Sequence, residues 1–273
     1  MLSSLSCRQC FPGRGRNSAF LWGPRQTGKT TLLQVLFPRA PFYDLLRPDE
    51  YERLARNPHL LREEIAAEGL VRNLPAFGRF LEAAAFSNGG IVNSAAIARE
   101  CGVSAPTVRQ YFEILSDTLV GRFLPAFRRR PKRRVILAPK FYFFDLSLAN
   151  HFLRRSAIRA RSESFGHAFE HLLFQELSAH RHYSGLEYDL AYWRTASGYE
   201  VDFILGAGEV AIEVKGRPAH SGDTRGLSAF LEEQPKARAF IVSTDPRPRR
   251  MGKITVLPWR LFLDRLWCNK IVR

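Results

Sequence analysis

Residues 191–216, AYWRTASGYEVDFILGAGEVAIEVKG, decide how the C-terminal half of this chain folds. The first part reads as a β-hairpin whose second strand carries Asp202. The second part, from Glu209, reads as a further strand carrying Glu213 and Lys215. These two are two residues apart, so the strand period of two sets them on one face. Upstream, FGHAFEHLLFQELSAHRHY (165–183) has the spacing of an amphipathic helix and carries Glu170. Downstream, TRGLSAFLEEQP (224–235) predicts a helix and ARAFIVST (237–244) a strand. ITVLPWRLFLDRLW (254–267) adds an apolar strand and an amphipathic helix. The expected order is therefore α–β–β–β–α–β, followed by one more strand and helix.

Helix Glu, strand Asp, strand Glu-x-Lys is an arrangement that resembles the core of the PD-(D/E)xK nuclease-like proteins. The resemblance implies that Asp202 and Glu213 hold Mg²⁺ or Mn²⁺, an oxygen-seeking cation suited to carboxylates. Such a metal polarises a scissile phosphate and lowers the pKa of an attacking water. Lys215 would orient or deprotonate that water, or offset developing charge, and Glu170 would complete the catalytic set. Exposed charges on strands are common, and many proteins with this core bind without cutting. A non-catalytic binding module therefore stands beside the nuclease reading. His167, His171, His180 and His182 lie around Glu170 without an HExxH pattern, and read as surface or packing residues.

Before this half, residues 91–120 read IVNSAAIARECGVSAPTVRQYFEILSDTLV. Asn93 or Ser94 can cap a helix to about Cys101, Gly102-Val103-Ser104 makes the turn, and Ser104 caps a second helix to about Leu115. Ala95, Ile97, Ala98, Val103, Val108, Phe112 and Leu115 are spaced to form a small core. Ser104, Thr107, Arg109 and Gln110 lie on the polar face of the second helix, as DNA-contacting side chains of a helix–turn–helix would. GRFLPAFRRRPKRRVILAPKFYFFD (121–145) then sets two β-rich segments around a basic turn. That pattern predicts a wing with Arg128, Arg129, Arg130, Lys132, Arg133 and Arg134 at its tip, positioned for phosphates.

The N-terminal region carries AFLWGPRQTGKTTLL (19–33), which satisfies GxxxxGK[ST]. Gly23 and Gly28 permit the loop, Lys29 reaches the outer phosphates of ATP, and Thr30, followed by Thr31, offers a hydroxyl to Mg²⁺. A strand-like SAFLW precedes it, and a helix stopped by Pro38 and a second strand, PFYDLL, follow. Hydrolysis would need an acid at the end of an apolar strand. FYFFDLS (141–147) places Asp145 after four aromatics, yet it lies over 100 residues past the loop and behind the helix–turn–helix. Asp245, ending AFIVSTD, is further still.

These pieces together resemble a prokaryotic group of AAA-type ATPases whose C-terminal half is a domain of unknown function. LWGPRQTGKTTLL, LREEIAAEGLVRNLPAFGRFLEAAAFSNGGIVN, PKFYFFD and YWRTASGYEVDFIL…AIEVKG carry the resemblance, in that order. Members have a Walker B strand, a sensor strand and an arginine between the second strand and the LREEI-like segment. No counterpart of these occurs here, so the chain reads as internally truncated. A deletion joining two similar stretches would leave NPHLLREEIAAEGL (57–70) as it stands. The fold expected is α/β: a truncated P-loop β–α–β remnant (1–60), a helical linker with a winged helix–turn–helix (61–160), and a PD-(D/E)xK-like αβββαβ domain (161–273). By this resemblance Gly23, Gly28, Lys29 and Thr30 carry over as phosphate contacts, and an intact family member would be the partner that supplies the missing parts.

Composition is consistent with this organisation. The 273 residues hold 41 Lys plus Arg against 26 Asp plus Glu, a net charge of +15 that favours a polyanionic partner, DNA first. A hydrophobic share of 45% is ample for packed cores. No run approaches the 18 or so apolar residues of a membrane span, and no apolar signal region opens the chain, so a cytoplasmic protein without membrane contact is expected. Cys7 and Cys10 form a CxxC without a second half-site, and read as ordinary tail residues.

Overall fold

The computed structural model describes residues 73–118, 120–128, 133–155, 158 and 162–272. All of these belong to one compact unit, Arg53–Arg273. The phosphate loop with Gly23, Gly28, Lys29, Thr30 and Thr31, the Cys7/Cys10 pair and the helix expected from Leu60 lie outside the described residues. So do Arg129, Arg130 and Lys132.

Three helices open the described chain: α1 (Leu74–Phe86), α2 (Ser94–Cys101) and α3 (Ala105–Asp117). Each begins on a side chain suited to the free N–H groups of a first turn. Asn73 Oδ1 accepts from Ala76 N, Asn93 Oδ1 from Ala96 N and Ser104 Oγ from Thr107 N. Gly102 ends α2 at φ 66°, a left-handed turn that glycine adopts without a Cβ penalty. Ile97, Ala98, Val108, Phe112 and Leu115 pack between the helices as their spacing predicts, joined by Phe77, Phe80 and Leu81 of α1, whereas Ala95, expected with them, is exposed.

A two-stranded ladder follows, β1 (Gly121–Leu124) antiparallel to β2 (Lys140–Phe143). Gly121 is required there, since a Cβ would fall 2.1 Å from the ring of Phe141. Residues of β2 alternate between two cores. Phe141 and Phe143 enter the helical core, whereas Tyr142 enters the core of the C-terminal half. Asp145 then caps α4 (Leu146–Phe152) by accepting from Ser147 N at 2.6 Å, an ordinary structural use of that carboxylate.

The C-terminal half is a six-stranded sheet in the order β3-β4-β5-β6-β8-β7. Its strands are β3 (Leu190–Arg194), β4 (Glu200–Leu205), β5 (Val210–Lys215), β6 (Arg238–Ser243), β7 (Arg249–Met251) and β8 (Ile254–Pro258). β3, β4 and β5 run antiparallel; β5, β6 and β8 run parallel; β7 closes the far edge antiparallel to β8. Helix α5 (Glu163–Tyr183) and helix α7 (Trp259–Trp267) cover one face, with Phe169, Leu173, Phe203, Ile212, Val242 and Phe262 between. Helix α6 (Arg225–Glu233) covers the other, over Trp193, Val201, Ala211 and Ile241. Parallel central strands need cover on both faces, which is why residues 210–212 of β5 and 239–242 of β6 are continuous apolar runs. The α–β–β–β–α–β order expected from sequence is present; β7 was not anticipated. No helix among the described residues is long and apolar enough to cross a membrane.

The segment between β1 and β2 has partners that the sequence did not suggest. The tip expected of it, with Arg129, Arg130 and Lys132, lies outside the described residues. The flanks of the segment join the outer edge of the sheet along β3. Tyr192 N donates to Pro125 O at 3.0 Å, Phe127 N to Tyr192 O at 2.7 Å, Ile136 N to Arg194 O at 2.9 Å and Ala196 N to Arg134 O at 2.9 Å. The Tyr192 hydroxyl also donates to Ala138 O. An edge strand leaves a row of unpaired N–H and C=O groups, and this segment satisfies them.

Candidate functional site

Where β3 and β4 pair, Ala191 faces Ile204 and Trp193 faces Val201. Tyr192 on β3 is therefore opposed by two residues of β4, Asp202 and Phe203, which is a β-bulge. Bulges re-aim side chains and end pairing. Both effects are present. The β4–β5 ladder stops at Phe203↔Ile212, and Asp202 Oδ2 accepts from the Val214 N–H beyond it, at 2.7 Å. The bulge thus brings Asp202 to the end of β5, where Glu213 and Lys215 stand on one face. Lys215 Nζ donates to Glu213 Oε1 at 2.6 Å. The other oxygen, Glu213 Oε2, is buried without a hydrogen-bond partner.

Glu170 arrives from α5 and joins the same electrostatic neighbourhood as Asp202 and Glu213. Its Oε1 accepts from the Tyr142 hydroxyl at 2.6 Å and from Lys140 Nζ at 3.2 Å. Lys140 Nζ also lies 2.8 Å from Glu200 Oε1, while Arg194 lies 3.2 Å from Glu200 Oε2. Helix α6 begins hard against this strand: a Cβ on Gly226 would fall 1.8 Å from the Glu200 carbonyl oxygen. The four residues singled out by sequence, Glu170, Asp202, Glu213 and Lys215, are brought together. Lys140, Tyr142 and Glu200 complete the cluster and were missed. The signal for the first two was the polar-tipped alternation Lys-x-Tyr set against Phe-x-Phe in PKFYFF. Glu200 stood two residues before Asp202.

Burial dominates the titration of this cluster. Asp202 is pushed well above the usual carboxylate range by burial and by the like charges of Glu213 and Glu170. Burial pushes Glu213 up to about 7, with Lys215 acting against it. Burial alone would lower the Lys140 ammonium, but Glu170, Asp202 and Glu200 outweigh it and hold it above its ordinary value. Lys215 is raised in the same way by Glu213 and Asp202. Next to Glu170, His171 is buried and held neutral, its pKa pushed down to about 4. Asn88 fixes this contact: its amide faces His171 Nδ1 at 3.0 Å and its carbonyl accepts from Phe143 N at 2.8 Å. His171 and His180 are packing residues; His180 bonds the Tyr188 hydroxyl and Asn269.

Among the described residues, no group of three or more His, Cys, Asp or Glu side chains has the geometry of a metal site. The donor set that fits a hard cation is the pair Asp202 and Glu213, because Glu213 Oε2 is a buried, partnerless carboxylate oxygen. One or two carboxylates are what Mg²⁺ sites at phosphates commonly use. Glu170 is engaged by Lys140 and Tyr142 instead.

On α3, Ser104 is exposed and Arg109 and Gln110 are exposed, while Thr107 is half-buried. The Ser104 and Thr107 hydroxyls lie 2.8 Å apart and serve the cap. Arg128 and Arg134 are exposed beside the sheet edge. Arg133 departs from the expected phosphate-contacting role. Its guanidinium donates to Ala229 O and Glu233 on α6 and pairs with Glu232. It pins the basic segment to the sheet domain.

Residues 49–159 match the family model described as a domain of unknown function (DUF8612), and residues 165–262 match another, also a domain of unknown function (DUF4143). The chain is 29% identical over 134 residues to uncharacterized proteins of Mycobacterium bovis and Mycobacterium tuberculosis. That alignment takes in 48% of this chain and 28% of each relative, so the chain spans little more than a quarter of their length. No solved structure matches it.

Proposed function

We propose that the C-terminal half is a metal-dependent DNA phosphodiesterase of the PD-(D/E)xK type, carried by a DNA-binding helix–turn–helix. The observation that carries this reading is the buried, partnerless Glu213 Oε2 beside Asp202, with Lys215 within 2.6 Å of the same carboxylate. Mg²⁺ or Mn²⁺, when bound, polarises the phosphate and makes a nearby water acidic. Asp202 and Glu213 would hold the cation through oxygens that burial otherwise leaves costly to ionise. Val214 N–H fixes the Asp202 carboxylate, and the Lys215 ammonium is positioned to orient the attacking water or offset charge on the phosphate. Exposed Arg109 and Gln110 on α3, with Arg128 and Arg134, offer phosphate contacts.

A second reading, a binding module with an inert cluster, is favoured by Lys140, whose ammonium is already paired with Glu170 and Glu200. Labelled linear and branched duplexes incubated with the protein, with and without Mn²⁺, separate the two. Cleavage that needs Mn²⁺ and falls more than about a hundredfold in Asp202→Asn supports the nuclease. A mobility shift with no cutting at any Mn²⁺ concentration supports the binding module.

For the N-terminal region, the phosphate loop and the resemblance to AAA-type ATPases support ATP binding through Gly23, Gly28, Lys29, Thr30 and Thr31. The missing Walker B acid leaves that site without hydrolytic machinery of its own. Lys29→Ala should abolish nucleotide binding; unchanged affinity would remove the loop as a site.

A further inference from the structure

Lys140 has an unusual position for a lysine. Its side chain is only 4% exposed, and its ammonium bridges Glu170 of α5 and Glu200 of β4. Buried lysines are rare unless paired. It is delivered by a four-residue strand whose neighbouring residues, Phe141 and Phe143, are embedded in the helical core. The period of two along β2 then sends Lys140 and Tyr142 the other way, where both bond Glu170 Oε1. The cluster therefore holds four carboxylates, Glu170, Glu200, Asp202 and Glu213; the cation bridging the first two comes from β2, while Arg194 of β3 also pairs with Glu200.

We propose that Lys140 is a resident competitor for the divalent cation, occupying Glu170 and Glu200 and confining metal binding to Asp202 and Glu213. This rests on the reading of Asp202 and Glu213 as cation ligands. A metal that recruited Glu170 through Oε1 would have to displace both the ammonium and the tyrosine hydroxyl. It would also meet the repulsion of a fixed positive charge a few ångströms away, which low-dielectric surroundings screen poorly. Without the ammonium, the half-buried Glu170 loses its counter-charge and Glu200 keeps Arg194, a deficit that a divalent cation relieves.

The test is Mn²⁺ titration of the full chain, followed by the electron paramagnetic resonance signal of free Mn²⁺, with folding checked by circular dichroism. Lys140→Met should tighten Mn²⁺ binding at least about tenfold. Lys140→Arg keeps the charge and should match wild type. Lys140→Gln is the substitute should the methionine variant not fold: its amide can still donate to the carboxylates but brings no charge. Affinity in Lys140→Met or Lys140→Gln within twofold of wild type overturns the competitor role, while wild-type binding that disappears in Asp202→Asn keeps the metal reading intact. Mn²⁺ binding by none of these proteins overturns both together.

Discussion

Helix α3 and the carboxylate cluster both present charge, and they are assembled in opposite ways. The polar residues of α3 lie within one turn or two of each other, are largely exposed, and owe their positions to a local cap, Ser104. The cluster draws on β2, α5, β4 and β5, and apart from the Glu213–Lys215 pair on β5 its groups take partners from other elements. An exposed side chain set by its own helix can be removed with little structural consequence. A buried one leaves an unmatched charge behind, so substitutions there move stability and function together.

The largest effect tests whether the two regions are mechanically joined. Phe112 is fully buried, with ring centroids 4.8 Å from both Phe80 and Phe141. Phe112→Ala should cost about 3–5 kcal/mol in denaturant melts. Because Phe141 and Lys140 are neighbours on β2, wild type and variant should each melt in one transition by fluorescence and circular dichroism. A separate, unshifted transition for the sheet half would break the link drawn through β2.

Glu213→Gln should act in the other direction. Raised from 4.5 to about 7, Glu213 binds protons in the folded state across a window where the unfolded chain has released them. Its contribution to stability is thus present below about pH 4.5 and lost as pH rises through 7. Without divalent cation, Glu213→Gln should be more stable than wild type by roughly 3 kcal/mol above pH 7, and equal to it near pH 4. His171, lowered to about 4, slopes oppositely between there and its ordinary 6.5: it stabilises at higher pH and loses that contribution as pH falls. The difference between variant and wild type, rather than either curve alone, isolates Glu213. A difference independent of pH would mean that the carboxylate ionises as freely as one in water.

The smallest structural effect belongs to α3. Arg109→Ala should leave stability within about 0.5 kcal/mol and lower the salt slope of DNA binding by about one. Arg133→Ala provides the contrast, since that guanidinium is committed to α6. It should leave the salt slope unchanged. Equal loss of slope in both variants would return Arg133 to the DNA-contacting set.

Much of this was legible from residues alone. Asn93, Gly102 and Ser104 mark the helix–turn–helix because caps and left-handed turns depend on side chains a few positions away. The strands at 190–194, 200–205 and 210–215 follow from apolar runs and turns, and Glu213 and Lys215 share a face by strand period alone. Asp202 was found by its place on the second strand, although the bulge that aims it leaves no trace in that pattern. That the flanks of the basic segment join β3 was hidden for a related reason. Residues flanking a basic turn look the same in sequence whether or not they pair with a strand roughly 60 residues further on, and only the unpaired edge of β3 draws them in.

What this sequence determined by itself is therefore the set of elements and the faces they offer, since both are fixed by interactions between residues close in the chain. What the tertiary structure decided is which charges meet. Lys140 and Tyr142 reach Glu170 and Glu200 because β2 is shared between two cores, with its phenylalanines held by one and its polar tips released into the other. Partners that far apart in sequence are chosen by burial, where an ammonium must find carboxylates or stay in water.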